Sequence, residues 1–337
     1  MRPLRAPTAL PRPSCPRCLA IASSRQRRHF RLSAPRHESK RDPRLESVGH
    51  DKEDILDDYE NIRESYATPK NPIVLAHGLL GFSVLNAVPL LPPIHYWRGI
   101  TTALDALLKP ETPIITPAVP PAGTIDQRAA ALAEAIAEAA PRGRPVNIIA
   151  HSMGGLDARC MISSLTSKAA HPVRVASLTT IATPHRGSAF ADFALDTLGL
   201  EGWYGLIGRT GLGTGAFRQL TREYMENDFN PSHPDAPDTR YFSYGAATEV
   251  PGLLSPFRAS WAIVNNAEGP NDGLVSVASS RWGDYRGTLR EVSHLDLINW
   301  TNRAKWEMRR VWTGQKRTFN AVAFYLDICD MLAKEGL

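Results

Sequence analysis

The sequence predicts an α/β fold in which a mostly parallel central sheet carries helices on both of its faces. Two observations support this prediction. Short apolar runs alternate with helical patterns along the chain, and such βαβ alternation is typical of parallel sheets covered by helices. The stretch IIAHSMGGLDAR, residues 148–159, begins as a strand, ends as a helix and has a single serine between them.

The individual elements are predicted in chain order. The charged segment 38–70 is interpreted as a connector or a peripheral amphipathic helix. A core strand in PIVLAHG, from Pro72, precedes a helix near Tyr96–Leu108 and a strand in PIITPAV. An alanine-rich helix at Thr124–Ala140 leads to the strand VNIIAHS. Further strands are predicted in VRVASLTTIATP and TRYFSYGA, and a closing amphipathic helix in FNAVAFYLDICDMLAKEGL.

The positive charge of the chain is concentrated at its N-terminal end. The 337 residues carry a formal net charge of +5, yet residues 1–37 contain nine arginines and no acidic residue. Subtracting those nine charges from +5 leaves −4 for the remainder. The predicted folded part is therefore mildly acidic, and we expect no nucleic-acid partner for it.

Residues 1–37 have the composition of a mitochondrial transit peptide. They are rich in Arg, Ser, Ala and Pro and lack the apolar core of a secretory signal. The stretch Arg28–Ser33 resembles a matrix-processing pattern, which would place the cleavage near His37. We therefore predict a mitochondrial protein on the matrix side. The alternative is a disordered basic tail that binds anionic lipid or nucleic acid.

Cysteine usage and hydropathy favour a reducing compartment and no membrane span. Cys15 and Cys18 lie in the leader, in a CxxC without a second pair at zinc spacing. Cys160 and Cys329 remain, and a disulfide framework is not expected. No uncharged apolar run approaches the roughly 20 residues of a transmembrane helix.

Ser152 is the predicted nucleophile. It lies in Ala150–Gly154, a variant of the G-x-S-x-G pattern with alanine in the first place. The pattern alone is weak, but a strand before it and a helix after it are the context of a nucleophile elbow. Such a turn needs small neighbours and places the hydroxyl beside the positive end of a helix. The alternative is a structural turn serine.

His294 is the favoured base. A serine hydroxyl needs a histidine to accept its proton, and the chain order of this fold should be Ser, acid, His. His294 lies in REVSHLDLINW, in a loop after a candidate final strand. The other histidines after the serine are His171, His185 and His233. Of these, His185 directly follows a strand and is interpreted as structural.

Asp272 is the favoured acid that orients the base. In NDGLVS it occupies a tight turn before an apolar run, and Gly273 permits an unusual backbone angle there. Asp284 and Asp296 are the competitors. Asp296 lies only two residues from His294, which is too near for an easy orienting geometry.

Two backbone N–H groups are needed as an oxyanion hole for the charge that develops on a substrate carbonyl. One is predicted to be the N–H of Met153, directly after the nucleophile. The other is predicted in the loop HGLLG after the first core strand, at Leu79.

Six sequence blocks between Asn71 and Trp300 resemble the bacterial-type triacylglycerol lipases of the α/β-hydrolase superfamily, including their fungal mitochondrial members. The blocks have the family's order and similar gaps: PIVLAHGLLG, YWRGI, AHSMGGLDAR, IATPHRGSAFADF, NDGLVS and HLDLIN. The resemblance implies an α/β-hydrolase domain over 71–337. It also implies a catalytic triad and an oxyanion hole formed by Ser152, Asp272, His294, Leu79 and Met153.

The calcium site of many family members is not expected here. In those relatives an aspartate two residues after the histidine binds the ion, and Asp296 matches it. Trp300 stands where a side-chain oxygen ligand is expected, and no aligned aspartate precedes Asp272. Calcium takes six or more oxygen ligands, so we expect no bound metal and no required cofactor; a calcium site that survives at Asp296 is the alternative. The disulfide of secreted relatives is also missing.

Residues of about 188–238 fall where the family carries its lid. Between Gly187 and Asp238 apolar and aromatic side chains are interspersed with glycines, a composition too apolar for a simple loop. We predict a helical lid that covers an acyl pocket in water and opens in peripheral contact with a lipid surface. The alternative is that this segment belongs to the core.

The predicted function is a serine carboxylic ester hydrolase that acts on acylglycerols, as a triacylglycerol lipase does. A phospholipase, a short-chain esterase or an acyltransferase on the same scaffold is the alternative within the enzyme class, because fold and triad do not fix the substrate. A non-catalytic lipid-binding protein is the alternative from another class.

Overall fold

The computed structural model describes residues 62–63, 65–79, 84–85, 94–108, 112–165, 173–196, 214–253, 255, 257–300 and 319–337. All of them belong to the compact unit Ser39–Leu337. The other unit, Met1–Glu38, lies outside the described residues. The transit peptide and its boundary therefore stay predictions.

The strands form one parallel sheet and one small antiparallel ribbon. Their bounds are β1 Ile73–Ala76, β2 Val84–Leu85, β3 Ile94–His95, β4 Ile114–Ile115, β5 Val146–His151, β6 Val175–Ile181, β7 Arg240–Ala247 and β8 Asp284–Arg290. Six of them pair in the order β4-β1-β5-β6-β7-β8, and each pair is parallel. β2 and β3 pair with each other in antiparallel orientation. The predicted parallel sheet is confirmed.

The helices pack on the two faces of this sheet. Their bounds are α1 Ile100–Leu107, α2 Ile125–Ala139, α3 Gly154–Cys160, α4 Thr214–Arg218, α5 Arg222–Tyr224, α6 Asn230–Ser232, α7 Arg258–Glu268, α8 Val277–Ser280 and α9 Ala321–Lys334. Residues 189–196 are also helical. π-helical turns span Met161–Leu165 and Met225–Phe229, and a 3₁₀ turn spans Asp296–Ile298.

Alternate residues of β1 show how the sheet separates two cores. Ile73 and Leu75 join the apolar cluster that includes α1 and α9. Val74 and Ala76 join the cluster that includes α2 and α3 on the other face. Because both faces are covered at this strand, β1 reads as a continuous apolar run rather than as an alternating one.

Two predicted helices illustrate what local sequence determines. α2 begins after Thr124, whose side chain accepts from the Gln127 N–H in a complete capping box, and its predicted range is confirmed. α1 begins at Ile100, later than the predicted start near Tyr96. Gly99 precedes it with a φ of 73°, a left-handed conformation that no helix interior contains. Tyr96 is thereby left in a turn, where its ring is buried.

The described end of the charged connector is not helical. Residues 62–63 and 65–70 have no regular secondary structure, so a peripheral helix in segment 38–70 could only lie before them, outside the described residues. Ile62 is buried in the core beside α9, and the Ala67 N–H donates to Asp330 at 2.7 Å. This part of the connector is fixed to the closing helix.

The predicted lid segment 188–238 is described only in part, because residues 197–213 lie outside the described residues. Its C-terminal part packs into the sheet's α2 face: Met225 and Phe229 are completely or almost completely buried there. A mobile cover stays a prediction for the residues that precede Thr214. No described helix is long and apolar enough to cross a bilayer.

Candidate active site

Ser152 stands at the carboxyl end of β5 in a strained turn. Its φ is 57°, which is uncommon for any residue other than glycine, and α3 begins two residues later. The Ser152 N–H donates to Ile181 at 2.9 Å, and the Thr183 hydroxyl donates to the Ser152 carbonyl at 2.7 Å. The surrounding structure therefore holds the strain in place, as expected of a nucleophile elbow.

The elbow depends on close backbone approach to the end of β1. A Cβ atom on Gly154 would lie 2.6 Å from the carbonyl oxygen of Ala76 and 2.7 Å from that of His77. A Cβ atom on Gly78 would lie 2.7 Å from the Cβ of Ser152 itself. The loop that follows β1 is therefore in direct contact with the serine, and neither glycine position has room for a side chain.

His294 and Asp272 form a buried pair. The His294 Nδ1 lies 2.7 Å from the Asp272 Oδ2, and the side chains are 7% and 0% exposed. The other Asp272 oxygen accepts from the backbone N–H groups of Leu274, at 3.0 Å, and Val275, at 2.8 Å. The His294 N–H donates to the Asp272 carbonyl at 2.9 Å, which joins the two loops. With Nδ1 donating to the carboxylate, Nε2 is the nitrogen that can accept a proton.

The histidine lies beside the elbow. Its ring centroid is 4.5 Å from that of His151, the residue directly before Ser152. No hydrogen bond joins the Ser152 hydroxyl to His294 in this structure, although both residues are among those described. Catalytic hydrogen bonds are often long in enzymes without substrate and shorten when substrate binds.

The backbone N–H groups of Leu79 and Met153 are the two that the sequence assigned to the oxyanion hole. Neither donates a hydrogen bond to any described residue. The neighbouring Gly78 N–H is different, because it donates to the Tyr96 hydroxyl at 3.0 Å. Met153 directly follows the serine, and Leu79 follows the glycine that contacts it, so both amides belong to the same small region.

Tyr96 connects the loop after β1 to the elbow strand. Its hydroxyl accepts from Gly78 and lies 2.7 Å from the Nδ1 of His151. Burial lowers the pKa of His151 well below its ordinary value, and the nearby His294 adds to the effect. The neutral ring therefore accepts the tyrosine proton on Nδ1, which assigns its own proton to Nε2. Sequence analysis did not identify either residue as part of the site.

A buried ion pair fixes the loop from the other side. Arg128 of α2 and Asp157 of α3 are 0% and 1% exposed, with 2.8 Å between Nη2 and Oδ2. Arg128 Nη2 also donates to the carbonyls of His77, at 2.7 Å, and Gly78, at 3.2 Å. Burial raises the pKa of Asp157 to about 6 despite the adjacent guanidinium. These bonds orient the peptide groups that precede the Leu79 N–H.

Sequence analysis missed the ion pair, although one signal was present. Arg128 falls within the apolar stripe of α2, together with Ile125, Ala129, Leu132 and Ile136, all of which are buried. A lone arginine on a buried helix face must find partners in the interior, because an unpaired buried charge is very costly. The sequence alone does not show which partners those are.

The competing residues lie elsewhere. His185 is completely buried, stacks on Trp282 and contacts the Thr180 hydroxyl at 3.0 Å, which fits a structural residue. His233 follows α6 and contacts the Phe229 carbonyl. His171 lies outside the described residues. Asp284 begins β8 and pairs with Arg286 on the surface.

Asp296 and Trp300 lie at two positions of the calcium site that many family members have. The Oδ2 of Asp296 accepts from the N–H of Ser293 at 2.8 Å and from its hydroxyl at 2.6 Å. Trp300 packs against the apolar core and supplies no side-chain oxygen. Calcium takes six or more oxygen ligands, and the absence of a required metal stays a prediction.

Comparison with known proteins adds independent evidence. Residues 124–215 match the family model described as "Putative serine esterase (DUF676)". A relative in Saccharomyces cerevisiae, Triacylglycerol lipase 2, is 36% identical over 329 residues, which cover 84% of this chain and 97% of the relative. A triacylglycerol lipase of Pseudarthrobacter phenanthrenivorans is 28% identical over 70% of this chain and 91% of its own.

Solved structures show the same fold. The mature Bacillus licheniformis lipase BlEst2 matches with a TM-score of 0.53 and 26% identity, over 70% of this chain and 89% of that one. The metagenomic carboxyl esterase MGS0156 matches with a TM-score of 0.61 and 18% identity, over 80% of this chain and 78% of that one. At 18% identity the second match supports the fold alone.

The fold and these relatives define a carboxylic ester hydrolase with the α/β-hydrolase fold. More particularly, the chain belongs to the triacylglycerol lipase family, since it aligns with nearly the whole length of the S. cerevisiae relative. The resemblance that the six sequence blocks predicted is confirmed.

Proposed function

We propose that this protein is a triacylglycerol lipase that works through an acyl-enzyme on Ser152, with His294 as base and Asp272 as orienting acid. The observation that carries the proposal is the convergence of three features. A strained serine, a carboxylate-oriented imidazole and two backbone N–H groups without an acceptor among the described residues meet at the carboxyl ends of parallel strands.

In the first half-reaction, His294 Nε2 accepts the proton of Ser152 as the Oγ bonds to the ester carbonyl carbon. The carbonyl oxygen becomes an oxyanion, and the N–H groups of Leu79 and Met153 donate to it. The C–O bond to the alcohol then breaks, and the imidazolium returns its proton to the leaving alkoxide. The products are the acyl-enzyme and a free alcohol.

In the second half-reaction, the same imidazole removes a proton from water, and the resulting nucleophile attacks the acyl carbon. The ester bond to Ser152 breaks, the proton returns to its Oγ, and a fatty acid leaves. Asp272 holds the imidazole in one orientation throughout and stabilises its charged form. No step requires a metal ion.

The proposed substrate class is acylglycerols. Relatives in S. cerevisiae and in three or more bacteria carry the name triacylglycerol lipase, and this chain covers most of their length.

We extend the proposal to a cover formed within residues 188–213 that opens on a lipid surface, and to import into the mitochondrial matrix directed by residues 1–37. A fusion of a fluorescent protein with and without those 37 residues tests the import.

The catalytic proposal is tested by combining covalent labelling with a substrate panel. We expect a fluorophosphonate probe to label the purified protein at Ser152. We expect hydrolysis of triacylglycerol to exceed that of diacylglycerol, monoacylglycerol and phospholipid. Ser152→Ala should lose both labelling and hydrolysis, by about 10⁴-fold or more for the rate.

Ser163→Ala is the matched control, because Ser163 is a partly buried serine of the same region and no part of the proposed site. It should retain labelling and activity. Labelling that persists in Ser152→Ala would move the nucleophile elsewhere. Normal labelling with a preference for phospholipid would keep the triad and overturn the substrate class.

A further inference from the structure

Three side chains with metal-binding chemistry meet outside the proposed active site. Asp126 lies in the first turn of α2, Cys160 ends α3, and His233 directly follows α6. One ligand atom of each lies within 4.8 Å of the other two. They are 34 and 73 residues apart along the chain, so only the tertiary fold brings them together. None takes part in the proposed reaction.

One nitrogen of the His233 ring has a backbone hydrogen-bond partner. Its Nδ1 lies 3.0 Å from the Phe229 carbonyl oxygen, which can only accept a hydrogen bond. Nδ1 therefore carries the proton, and Nε2 keeps the lone pair that binds metal. Metal-binding histidines in proteins commonly donate their second N–H to a backbone carbonyl in this way. Arg159 also donates to the His233 carbonyl, at 3.3 Å, which fixes the residue's backbone.

The aspartate is held in place by a second residue, as the histidine is. Asp126 Oδ2 accepts from the Gln219 side-chain amide at 3.3 Å, while Oδ1 lies 3.9 Å from the Cys160 sulfur. The Gln219 amide also donates to the Tyr224 hydroxyl at 3.0 Å. The carboxylate is thus supported on one oxygen, and its other oxygen is directed to the thiol.

The identity and charge of the ligands select the metal. A thiolate and a carboxylate together carry two negative charges, which a divalent cation neutralises. Thiolate sulfur and imidazole nitrogen are ligands for zinc, whereas calcium and magnesium require oxygen. With bonds of about 2.0–2.3 Å, tetrahedral zinc places its ligand atoms about 3.5 Å apart. Small side-chain rotations would bring the three atoms to that spacing.

We propose that Asp126, Cys160 and His233 bind one zinc ion, with water in a fourth position. The ion would join the start of α2 and the end of α3 to the helical run 222–232. That run is packed in the core through Met225 and Phe229, and the ion would add a second attachment beside them. The ion would stabilise the contact between these helices, and this proposal does not depend on the identity of the nucleophile.

The test measures metal binding by the full chain directly. Cys15→Ser and Cys18→Ser are introduced in every protein, because their CxxC could bind zinc independently. We expect this parent to take up one zinc ion per chain in competition with a chromophoric chelator. With Co²⁺ in place of zinc, we expect a near-ultraviolet thiolate-to-cobalt charge-transfer band and the visible bands of tetrahedral cobalt.

Cys160→Ser should abolish the charge-transfer band, and Cys160→Ser, His233→Gln and Asp126→Asn should each weaken zinc binding by roughly 100-fold or more. Cys329→Ser is the matched control, since Cys329 is also a buried free thiol but belongs to no group of three potential metal ligands among the described residues. It should bind zinc as the parent does. Asp126 is exposed, so its variant should fold even if a buried one does not. A parent without the thiolate band, or an Asp126→Asn variant that binds zinc as tightly as the parent, would overturn the proposal.

Discussion

The two halves of the candidate active site are built in different ways. The acid–base half, Asp272 and His294, is organised by a local turn. One oxygen of Asp272 accepts from the nearby backbone N–H groups of Leu274 and Val275, and the other lies against the His294 ring. The oxyanion half, the loop that carries Leu79, is held by side chains from distant elements. The Tyr96 hydroxyl accepts a hydrogen bond from the Gly78 N–H of this loop. Arg128, which is paired with Asp157, donates to the loop carbonyls of His77 and Gly78.

This difference has an energetic consequence. A turn whose own backbone N–H groups hydrogen-bond the acid needs little free energy to form, and it tolerates changes elsewhere in the chain. A loop oriented by a buried ion pair depends on two desolvated charges, and removing one leaves the other without a partner. We therefore expect substitutions in the acid–base half to affect the rate alone, and substitutions around the oxyanion half to affect rate and stability together.

The largest expected effect is on the rate, in the acid–base half. Asp272→Asn should lower kcat by about 10⁴-fold, because an amide cannot stabilise the imidazolium and favours the wrong tautomer. The asparagine oxygen can still accept from Leu274 and Val275, so the midpoint of thermal unfolding should change little. Steady-state ester hydrolysis and a thermal melt measure the two quantities. Asp284→Asn serves as the control, and a loss under 10-fold for Asp272→Asn would assign the acid to another residue.

The next effect separates stability from positioning in the oxyanion half. Arg128→Met should lower the free energy of unfolding by about 3–5 kcal/mol, because Asp157 is left buried without its partner. Adding Asp157→Leu removes that charge and should recover part of the loss. Activity should stay low in the double variant, since the carbonyls of His77 and Gly78 still lack their donor. Chemical denaturation measures the free energy of unfolding, and ester hydrolysis measures kcat. If the double variant recovered both stability and kcat, a positioning role for Arg128 would be contradicted.

A smaller effect is expected at Tyr96. Tyr96→Phe leaves the buried Gly78 N–H without an acceptor, which should cost about 1–3 kcal/mol of unfolding free energy and lower kcat about 10-fold. Tyr325→Phe is a stringent control, because the buried Tyr325 hydroxyl has no hydrogen-bond partner among the described residues. It should leave stability unchanged or raise it. Equal losses in the two variants would mean that the Tyr96 bond has no special role.

The smallest effect concerns a buried histidine that belongs to neither half. Burial lowers the pKa of His185 well below 6.5, so below that pH the unfolded chain binds a proton that the folded protein does not. Stability should therefore fall as the pH decreases from 6.5. His185→Gln should reduce that slope by about 1 kcal/mol per pH unit between pH 6 and 5, measured by urea denaturation. The difference between the variant and the wild type should be constant from pH 7 to 8; a difference that changes there would contradict the assignment.

The strands and helices could be predicted from the sequence for identifiable reasons, and the assignment of the reactive groups stays a prediction. The alanine-rich run after Thr124 and the apolar runs of β1, β5, β6 and β7 are local signals, and the structure confirms those elements. Ser152 could be predicted as the nucleophile because an elbow requires small neighbours at fixed positions. Asp272 and His294 were visible through turn chemistry and chain order, and the structure brings these two together.

The missed residues have a different character. Arg128 lies outside the six family blocks. Tyr96, His151 and Asp157 lie inside them, but the patterns define no role for these side chains. The importance of all four follows from partners 18 to 55 residues away. The start of α1 was also predicted too early, because the left-handed Gly99 ends the preceding turn without altering the hydrophobic pattern.

By itself, the sequence determined the α/β class, the strand–elbow–helix at Ser152 and the residue types that the chemistry requires, because each depends on spacing along a few neighbouring residues. The tertiary structure decided which buried charges meet, which amides remain without acceptors and which distant ligands converge near Cys160. Those outcomes depend on long-range packing in a medium of low dielectric, where an unpaired polar group is costly and its partner comes from whichever element lies closest.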